Sequence, residues 1–429
     1  MTGFIKEHAM RVALAFAVAM AIGSLSLSAQ RTVSTPPQAV HIFQANGLMQ
    51  VLCARTDANF NGVADEGDAP AAWLQVTPTL QVVRSYTFPW ADVKASRIGT
   101  ILQRDRLFVG VDNAVQEFDL TDQALKGTVY TGPVSAVSAI ESASNGPTLY
   151  ISQRPNFTDP GTVVQRVVAT GDSVVYAAGP NPQQSLRFTT STNVSGLLTI
   201  SEGVFGQANG IVDVWKQSAL GAARTTITVG DTPNHVTVSG DSAYVTVNGS
   251  HHVVVIDLVS VTAVDTIAVG TSGFDGPRES VVDNGILYVS TFSSDVRLFS
   301  IEDGRRIGVV TLDAKPEGIL VFGRDLWVTR SFLMGGYSAE SNVAVYDLDA
   351  AVSVEADATR PNMPKAIVAT GTSVTLPLDA GKGLTMRTLE GRQTAVRTVD
   401  SERCTIDVSS LPRGVYVVSD GTSSITLMR

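Results

Sequence analysis

An all-β chain built from radially repeated sheets is what three features of this 429-residue sequence predict. Its apolar runs are short, rich in Val, Ile and aromatic residues, and bounded by Gly, Pro, Asn and Asp, which is strand-and-turn punctuation. Groups of four such runs recur at about 40–50 residues, a period typical of sheets stacked around an axis. Residues 411–429 read as a closing hairpin, with one strand over 415–418, a turn at Asp420-Gly421 and a second strand over 424–428.

From the N-terminus, Lys6 and Arg11 precede an apolar stretch over 12–22 and then small residues over 23–29. This is the pattern of a secretory signal peptide (1–29), with cleavage after Ser28 or Ala29. The stretch is shorter than the ~20 residues of a membrane span, so the mature chain is expected to be exported and soluble, with no transmembrane span. Removing Lys6, Arg11 and Glu7 (+1 in sum) takes the net charge from −9 to −10. Scattered acidity of this kind excludes nucleic acid as a partner. Cys53 and Cys404 are the only cysteines, readable as a disulfide or as two buried thiols.

Three repeat units align in the middle of the chain. Pro233, Pro277 and Pro316 each open a first strand. The second strand carries an aromatic-Val-Thr/Ser run (Tyr244-Val245-Thr246, Tyr288-Val289-Ser290, Trp327-Val328-Thr329). A third strand follows at Val253, Val296 and Val343, and the first two units add a fourth, Val/Ile-rich strand. One four-stranded sheet cannot bury both faces, but sheets stacked in a ring cover one another. Fainter copies begin near Arg106, Thr148 and Leu197, and 51–88 supplies one more, with outer strands over 73–76 and 80–83. The sum is a six- to seven-bladed β-propeller, seven by this count, over 38–352. The run Val40-His41-Ile42-Phe43 is expected to close the ring by joining the last blade. A linker with Pro361 and Pro364 (353–365) leads to a small Ig-like β-sandwich over 366–429.

The 233–257 unit resembles the YVTN-type seven-bladed propeller repeat, with Val247, Thr291 and Arg330 where that repeat carries Asn. The strand Leu384–Leu389 with its Gly391-Arg392 turn, the run Leu411-Pro412-Arg413-Gly414-Val415-Tyr416 and the final hairpin closely resemble a C-terminal sorting domain of the type IX secretion system. That resemblance implies secretion or display at the outer-membrane surface of a Gram-negative-type bacterium, and the secretion machinery as a partner.

Two sets of residues have the chemistry of sites. Asp57, Asn59, Asn61, Val63 (through its carbonyl), Asp65 and Asp68 fall at positions 1, 3, 5, 7, 9 and 12 of a calcium loop, with Gly62 at the tight turn. Asp68 replaces the usual Glu, and the flanks read as strands rather than helices, so a structural Ca2+ that stiffens a loop is expected. A solvated Asn61-Gly62 turn accounts for the glycine alone. The residues entering the first strands, Asn234, His235, Arg278, Glu279 and Glu317, would line one mouth of the central channel as a ligand site. His251 and His252 point to opposite faces of a strand and so cannot share a metal. No Gly-x-Ser-x-Gly elbow, phosphate loop or His-Glu-x-x-His motif occurs. The reading is an exported or cell-surface binding module for a protein, glycan or small ligand. The rival is a lactonase-like hydrolase or lyase at the channel mouth.

Overall fold

A computed structural model describes residues 30–58, 63–90, 100–103, 105–111, 113–142, 146–216, 224–333, 338–348 and 352–353. It also describes 366–368, 373–375, 384–388, 393–394, 397–400, 405–412, 415–419 and 424–428. The expected signal segment, Asn59, Asn61, Cys404 and the Asp420-Gly421 turn lie outside these residues.

The chain opens with β1 (Gln30–Ser34). Blade 1 is β2 (Ala39–Ala45), β3 (Leu48–Cys53), β4 (Ala72–Val76) and β5 (Val82–Thr87). Blade 2 is β6 (Thr100–Gln103), β7 (Arg106–Val111), β8 (Ala114–Asp119) and β9 (Leu125–Thr131). Blade 3 is β10 (Ala136–Ser142), β11 (Gly146–Gln153), β12 (Pro160–Val167) and β13 (Ser173–Pro180). Blade 4 is β14 (Pro182–Thr189), β15 (Ser195–Ser201), β16 (Gly210–Lys216) and β17 (Thr225–Gly230). Blade 5 is β18 (Pro233–Ser239), β19 (Ser242–Val247), β20 (His252–Asp257) and β21 (Thr262–Ala268). Blade 6 is β22 (Pro277–Asp283), β23 (Ile286–Thr291), β24 (Asp295–Ser300) and β25 (Arg306–Thr311). Blade 7 takes β26 (Ala314–Phe322), β27 (Asp325–Leu333) and β28 (Ala339–Asp347) from one end of the chain and β1 from the other. The fold is a seven-bladed β-propeller.

Ring closure differs from expectation. The strand that completes blade 7 is β1, antiparallel to β28 with Arg31 opposite Val345. Val40-His41-Ile42-Phe43 lies instead in β2, the innermost strand of blade 1, packed beside β26. The burial patterns explain the exchange. An outer strand needs one apolar side chain facing inward, and β1 buries only Val33. β2 buries Ala39, Val40, Ile42 and Ala45, more than a rim position can cover. Its polar composition hid β1 from pattern reading.

The core is divided among seven seams, one between each pair of blades. Val245, Val254 and Ile256 of blade 5 pack toward blade 4, and Tyr244, Val253 and Val255 toward blade 6. Alternate residues of each strand therefore serve opposite seams, because side chains alternate across a strand. This is why the middle strands read as continuous apolar runs. The repeated aromatics Tyr150, Tyr244, Tyr288 and Trp327 all enter the seam with the following blade. Cys53 sits fully buried in the seam of blades 7 and 1, where desolvation pushes its thiol up to about 12. It is an unreactive core residue.

The aromatic-Val-Thr/Ser run has a second use. The hydroxyl residue two places after the aromatic faces the same seam. There Thr246 Oγ1 lies 3.2 Å from the Arg278 carbonyl of blade 6, Ser290 Oγ lies 3.2 Å from the Glu317 carbonyl of blade 7, and Ser152 Oγ donates to the Gln183 carbonyl of blade 4. Ser290 and Ser152 thus bond to the inner strand of the next blade, and Thr246 approaches it while giving its proton to Asn234 Oδ1 at 2.9 Å.

After blade 7 the chain adds β29 (Val352–Ser353) as a fifth strand beside β25. The C-terminal strands are β30 (Ala366–Val368), β31 (Ser373–Thr375), β32 (Thr385–Thr388), β33 (Gln393–Thr394), β34 (Arg397–Asp400), β35 (Thr405–Asp407), β36 (Val415–Ser419) and β37 (Ser424–Met428). They form one five-stranded sheet, β30-β37-β36-β32-β33, and one three-stranded sheet, β31-β35-β34. The β36–β37 hairpin pairs antiparallel.

Candidate functional site

Innermost strands all start at the same end of the ring, here the entry end. Five of them begin alike. Ala39, Pro182, Pro233, Pro277 and Pro316 stand opposite Cys53, Ser201, Val247, Thr291 and Arg330, and each is followed by a register shift. A proline lacks the N–H that a strand interior would need; Pro182, Pro233 and Pro277 stand at the first position, and Pro316, third in β26, stands at a register shift, and both places tolerate it. The bulge that follows bends the strand and re-aims its side chains. The site is the arc of side chains on these bulges.

Two tiers result. Asn234, Arg278 and Glu317 directly follow the prolines of blades 5, 6 and 7. Arg278 makes a forked contact with Glu317 across the seam, Nη2 to Oε1 at 2.7 Å and Nε to Oε2 at 3.2 Å. Its guanidinium also lies 4.5 Å from the Phe292 ring centroid. Glu317 is 8% exposed, so this is a largely desolvated, bidentate pair. Asn234 is buried. Its Oδ1 accepts from Thr246 Oγ1 at 2.9 Å, while Nδ2 has no hydrogen-bond partner among the described residues.

The second tier is Gln184, His235, Glu279, Gly318 and His41. Gln184 Oε1 accepts from the Val236 amide at 3.0 Å, and His235 Nδ1 accepts from the Ser280 amide at 3.3 Å. Each side chain therefore caps the inner strand of the next blade. Glu279 Oε1 lies 3.8 Å from His41 Nδ1. The five residues predicted for the mouth thus fall on one arc. Sequence reasoning missed Gln184, although Pro182 marks its strand as Pro233 marks that of His235. It also missed His41, whose strand opens on Ala39 and carries no such signal.

The described residues of the expected calcium loop, Asp57, Val63, Asp65 and Asp68, lie at the same end, between β3 and β4. A bridge between Thr56 and Ala69 closes the neck. Asp68 accepts from the amides of Ala58 (Oδ1, 2.7 Å) and Asp65 (Oδ2, 3.2 Å). Asp68 thus folds back onto the start of the loop through backbone amides, while Asp57 Oδ2 lies 3.8 Å from Arg55 Nη2. Among the described residues no three His, Cys, Asp or Glu side chains converge on one point. His251 and His252 serve different partners: His251 Nδ1 is 2.8 Å from Asp275 Oδ1, and His252 Nε2 is 3.0 Å from the Val229 carbonyl.

No family model matches the chain, and no curated protein does. Solved structures do resemble it. U3-55K aligns at 10% identity over 75% of this chain and 99% of its own, with a TM-score of 0.55. The WD40 repeats of RRP9 align at 10% identity over 75% and 98%, also with a TM-score of 0.55. BBS1N, solved in complex with ARL6DN, aligns at 12% identity over 73% and 93%, with a TM-score of 0.50. At these identities the likeness is one of fold, and it defines the class as a β-propeller of WD40-like architecture.

Proposed function

We propose that this chain is an exported β-propeller that acts as a binding and interaction module through its entry-end mouth, delivered by a C-terminal sorting domain of the type IX kind. The observation that carries the reading is the arc itself. Gln184, Asn234, His235, Arg278, Glu279, Glu317 and His41 present hydrogen-bonding groups on bulges of four neighbouring blades and the one that closes the ring on them. Fold likeness cannot supply a function by itself, but propellers of this architecture commonly serve as interaction platforms, and one neighbour was solved in a complex.

Two details support export. The closing strand, Gln30–Ser34, lies after the expected cleavage site and would stay with the mature chain. In the C-terminal region Tyr416 donates from its hydroxyl to the Pro412 carbonyl at 2.7 Å. This bond gives the Leu-Pro-Arg-Gly-Val-Tyr run a structural use akin to the tyrosine corner of Ig-like sandwiches. The repeat is of the YVTN type in this reading, and a structural Ca2+ in the Asp57 loop completes it. The hydrolase or lyase alternative rests on the His41–Glu279 pair alone, since Glu317 is engaged with Arg278.

The test is localisation of the full chain against a chain lacking residues 366–429. The truncate is expected to fold and to stay in the periplasm. Its normal appearance at the surface or in the medium would refute the sorting role.

A further inference from the structure

Two inner strands of the ring are capped in the same way, and only one of the caps can change its charge. In its sheet β22 is the innermost strand, with β23 on one side and no strand on the other. An amide of β22 that β23 does not use must find its acceptor elsewhere. Ser280, 4% exposed, finds one in the preceding blade. Its amide donates to His235 Nδ1 at 3.3 Å, and its Oγ lies 3.5 Å from the same nitrogen. One blade earlier the Val236 amide donates to Gln184 Oε1 at 3.0 Å. Gln184 and His235 each stand two residues after their proline, and Val236 and Ser280 three residues after theirs. The same task thus falls to an amide oxygen in blade 4 and to an imidazole nitrogen in blade 5.

A backbone amide can only donate. His235 Nδ1 must therefore keep its lone pair, and the ring must be the neutral Nε2–H tautomer. A proton taken from solvent at Nδ1 would set one N–H against another. The charged ring then has to turn away, and a buried amide loses its acceptor. Gln184 has no such proton to gain. The strands packed on β18 are β14, β15, β19 and β22, and their ionisable side chains are Arg187, Tyr244, Arg278, Glu279 and Asp283. Arg187 lies beside Tyr150 of blade 3, Tyr244 is buried in the seam with blade 6, and Asp283 stands at the far end of β22. Arg278 is forked to Glu317. Glu279, next in sequence to the capped amide, lies 3.8 Å from His41, and a protonated His41 would draw it further toward blade 1.

We infer that His235 is a proton-sensitive cap: on acidification it releases the start of β22, the strand that carries Arg278 and Glu279, and so loosens the entry-end mouth. Regulation of a ligand by this release rests on the binding role proposed above; the release itself does not.

Selective 15N labelling of the five histidines in the intact protein, with His235 assigned by its loss in a His235→Gln variant, reads the tautomer and the titration of that ring. The Nε2–H form is expected at neutral pH, with a midpoint below the ~6.5 of an unperturbed imidazole. The neutral ring is the one the fold favours, so the cap's contribution is present above about 6.5 and is lost as pH falls through the folded value. His235→Gln places in blade 5 the acceptor that blade 4 already uses. Its urea midpoint should match that of the wild type at about pH 8 and decline less steeply toward about pH 5. Hydrogen exchange of the peptide spanning 277–283, compared at equal pH so that intrinsic rates cancel, should be faster in the wild type than in the variant at the acid end and equal at the other. A ring in the Nδ1–H tautomer, a midpoint at or above about 6.5, or a variant that keeps the wild-type pH response would overturn the inference. None of these readouts involves a ligand, so a mouth that binds nothing would be a separate result.

Discussion

Glu279 of blade 6 reaches His41 of blade 1, Oε1 to Nδ1 at 3.8 Å, past the blade that lies between them. The route is open because blade 7 carries Gly318 in the register position of Glu279. Thr329 contacts Gly318 as Ser290 contacts Glu279. A Cβ at Gly318 would meet the Val40 carbonyl at 3.1 Å, His41 Cα at 3.2 Å and the Ile42 nitrogen at 3.3 Å. Those atoms are backbone and cannot swing aside. Gly318→Ala is therefore expected to destabilise the fold by about 1–3 kcal/mol, as overpacking does, measured by urea denaturation.

The hydroxyl contacts at these seams predict small losses. Thr246→Val removes the buried bond to Asn234 Oδ1 and Ser290→Ala the one to the Glu317 carbonyl, and each should cost about 1 kcal/mol. Both hydroxyls also touch the peptide unit that joins Arg278 to Glu279, through the Arg278 carbonyl and the Glu279 amide, so the double variant should depart from the sum. A single variant with an unchanged denaturation midpoint would mean that its hydroxyl contributes nothing to seam cohesion.

Arg278 and Glu317 form a forked pair with side chains 17% and 10% exposed. Truncating either to Ala strands the other charge in a poorly hydrated place, at a cost of about 3 kcal/mol. The double truncation should cost clearly less than the two singles combined. Additive losses in the cycle would show that the pair is not coupled.

Two carboxylates should bend the acid limb in opposite directions. Burial alone would raise Asp275, but amide donors at Thr271 and Ser272, with His251 and Arg297 nearby, outweigh it and hold the group below 3.8. Its contribution is present above the unfolded value of about 3.9 and is lost as pH falls through the folded one. Asp213 is raised, chiefly by desolvation, against the pull of Thr226 and Arg224. Its contribution is present below the unfolded value and is lost as pH rises from there through the folded one. Asp275→Asn should therefore lessen destabilisation on acidification below about pH 4. Asp213→Asn should lessen the decline on the rising side. Urea midpoints across the acid range read both slopes.

Chelation supplies the fifth test. If the Asp57 loop holds calcium, EGTA should lower the thermal midpoint, added Ca2+ should restore it, and Asp57→Ala should abolish the response. A midpoint indifferent to EGTA would leave the loop held by Asp68 and the Thr56–Ala69 bridge alone.

Much of this architecture was legible because repetition writes the same constraint several times. Pro233, Pro277 and Pro316 mark strand starts, and Tyr244, Tyr288 and Trp327 mark second strands, so four strands per unit followed from spacing. Blade 1 was blurred because a long insertion separates Cys53 from Ala72. The closing strand was missed because an edge needs one buried side chain, and Val33 alone leaves no periodicity. At the mouth, a proline followed by polar residues announced Asn234, Arg278 and Glu317. His41 was hidden because its neighbours Val40 and Ile42 made it look like part of an apolar strand. The pairing of Arg278 with Glu317 belongs to the ring and cannot be read from either blade by itself.

The two-ended last blade also has a consequence in time. Arg31 pairs with Val345, 314 positions further along the chain (345 − 31). At roughly 5–20 residues per second of synthesis, β1 leaves the ribosome about 15–60 s before its partner exists. For that interval the nascent chain is an open fan of sheets with an unmatched strand at its leading tip and the Trp327 slot still unmade. Any factor that must hold this chain unclosed has that window in which to find it, and the arrival of residues 339–347 ends it.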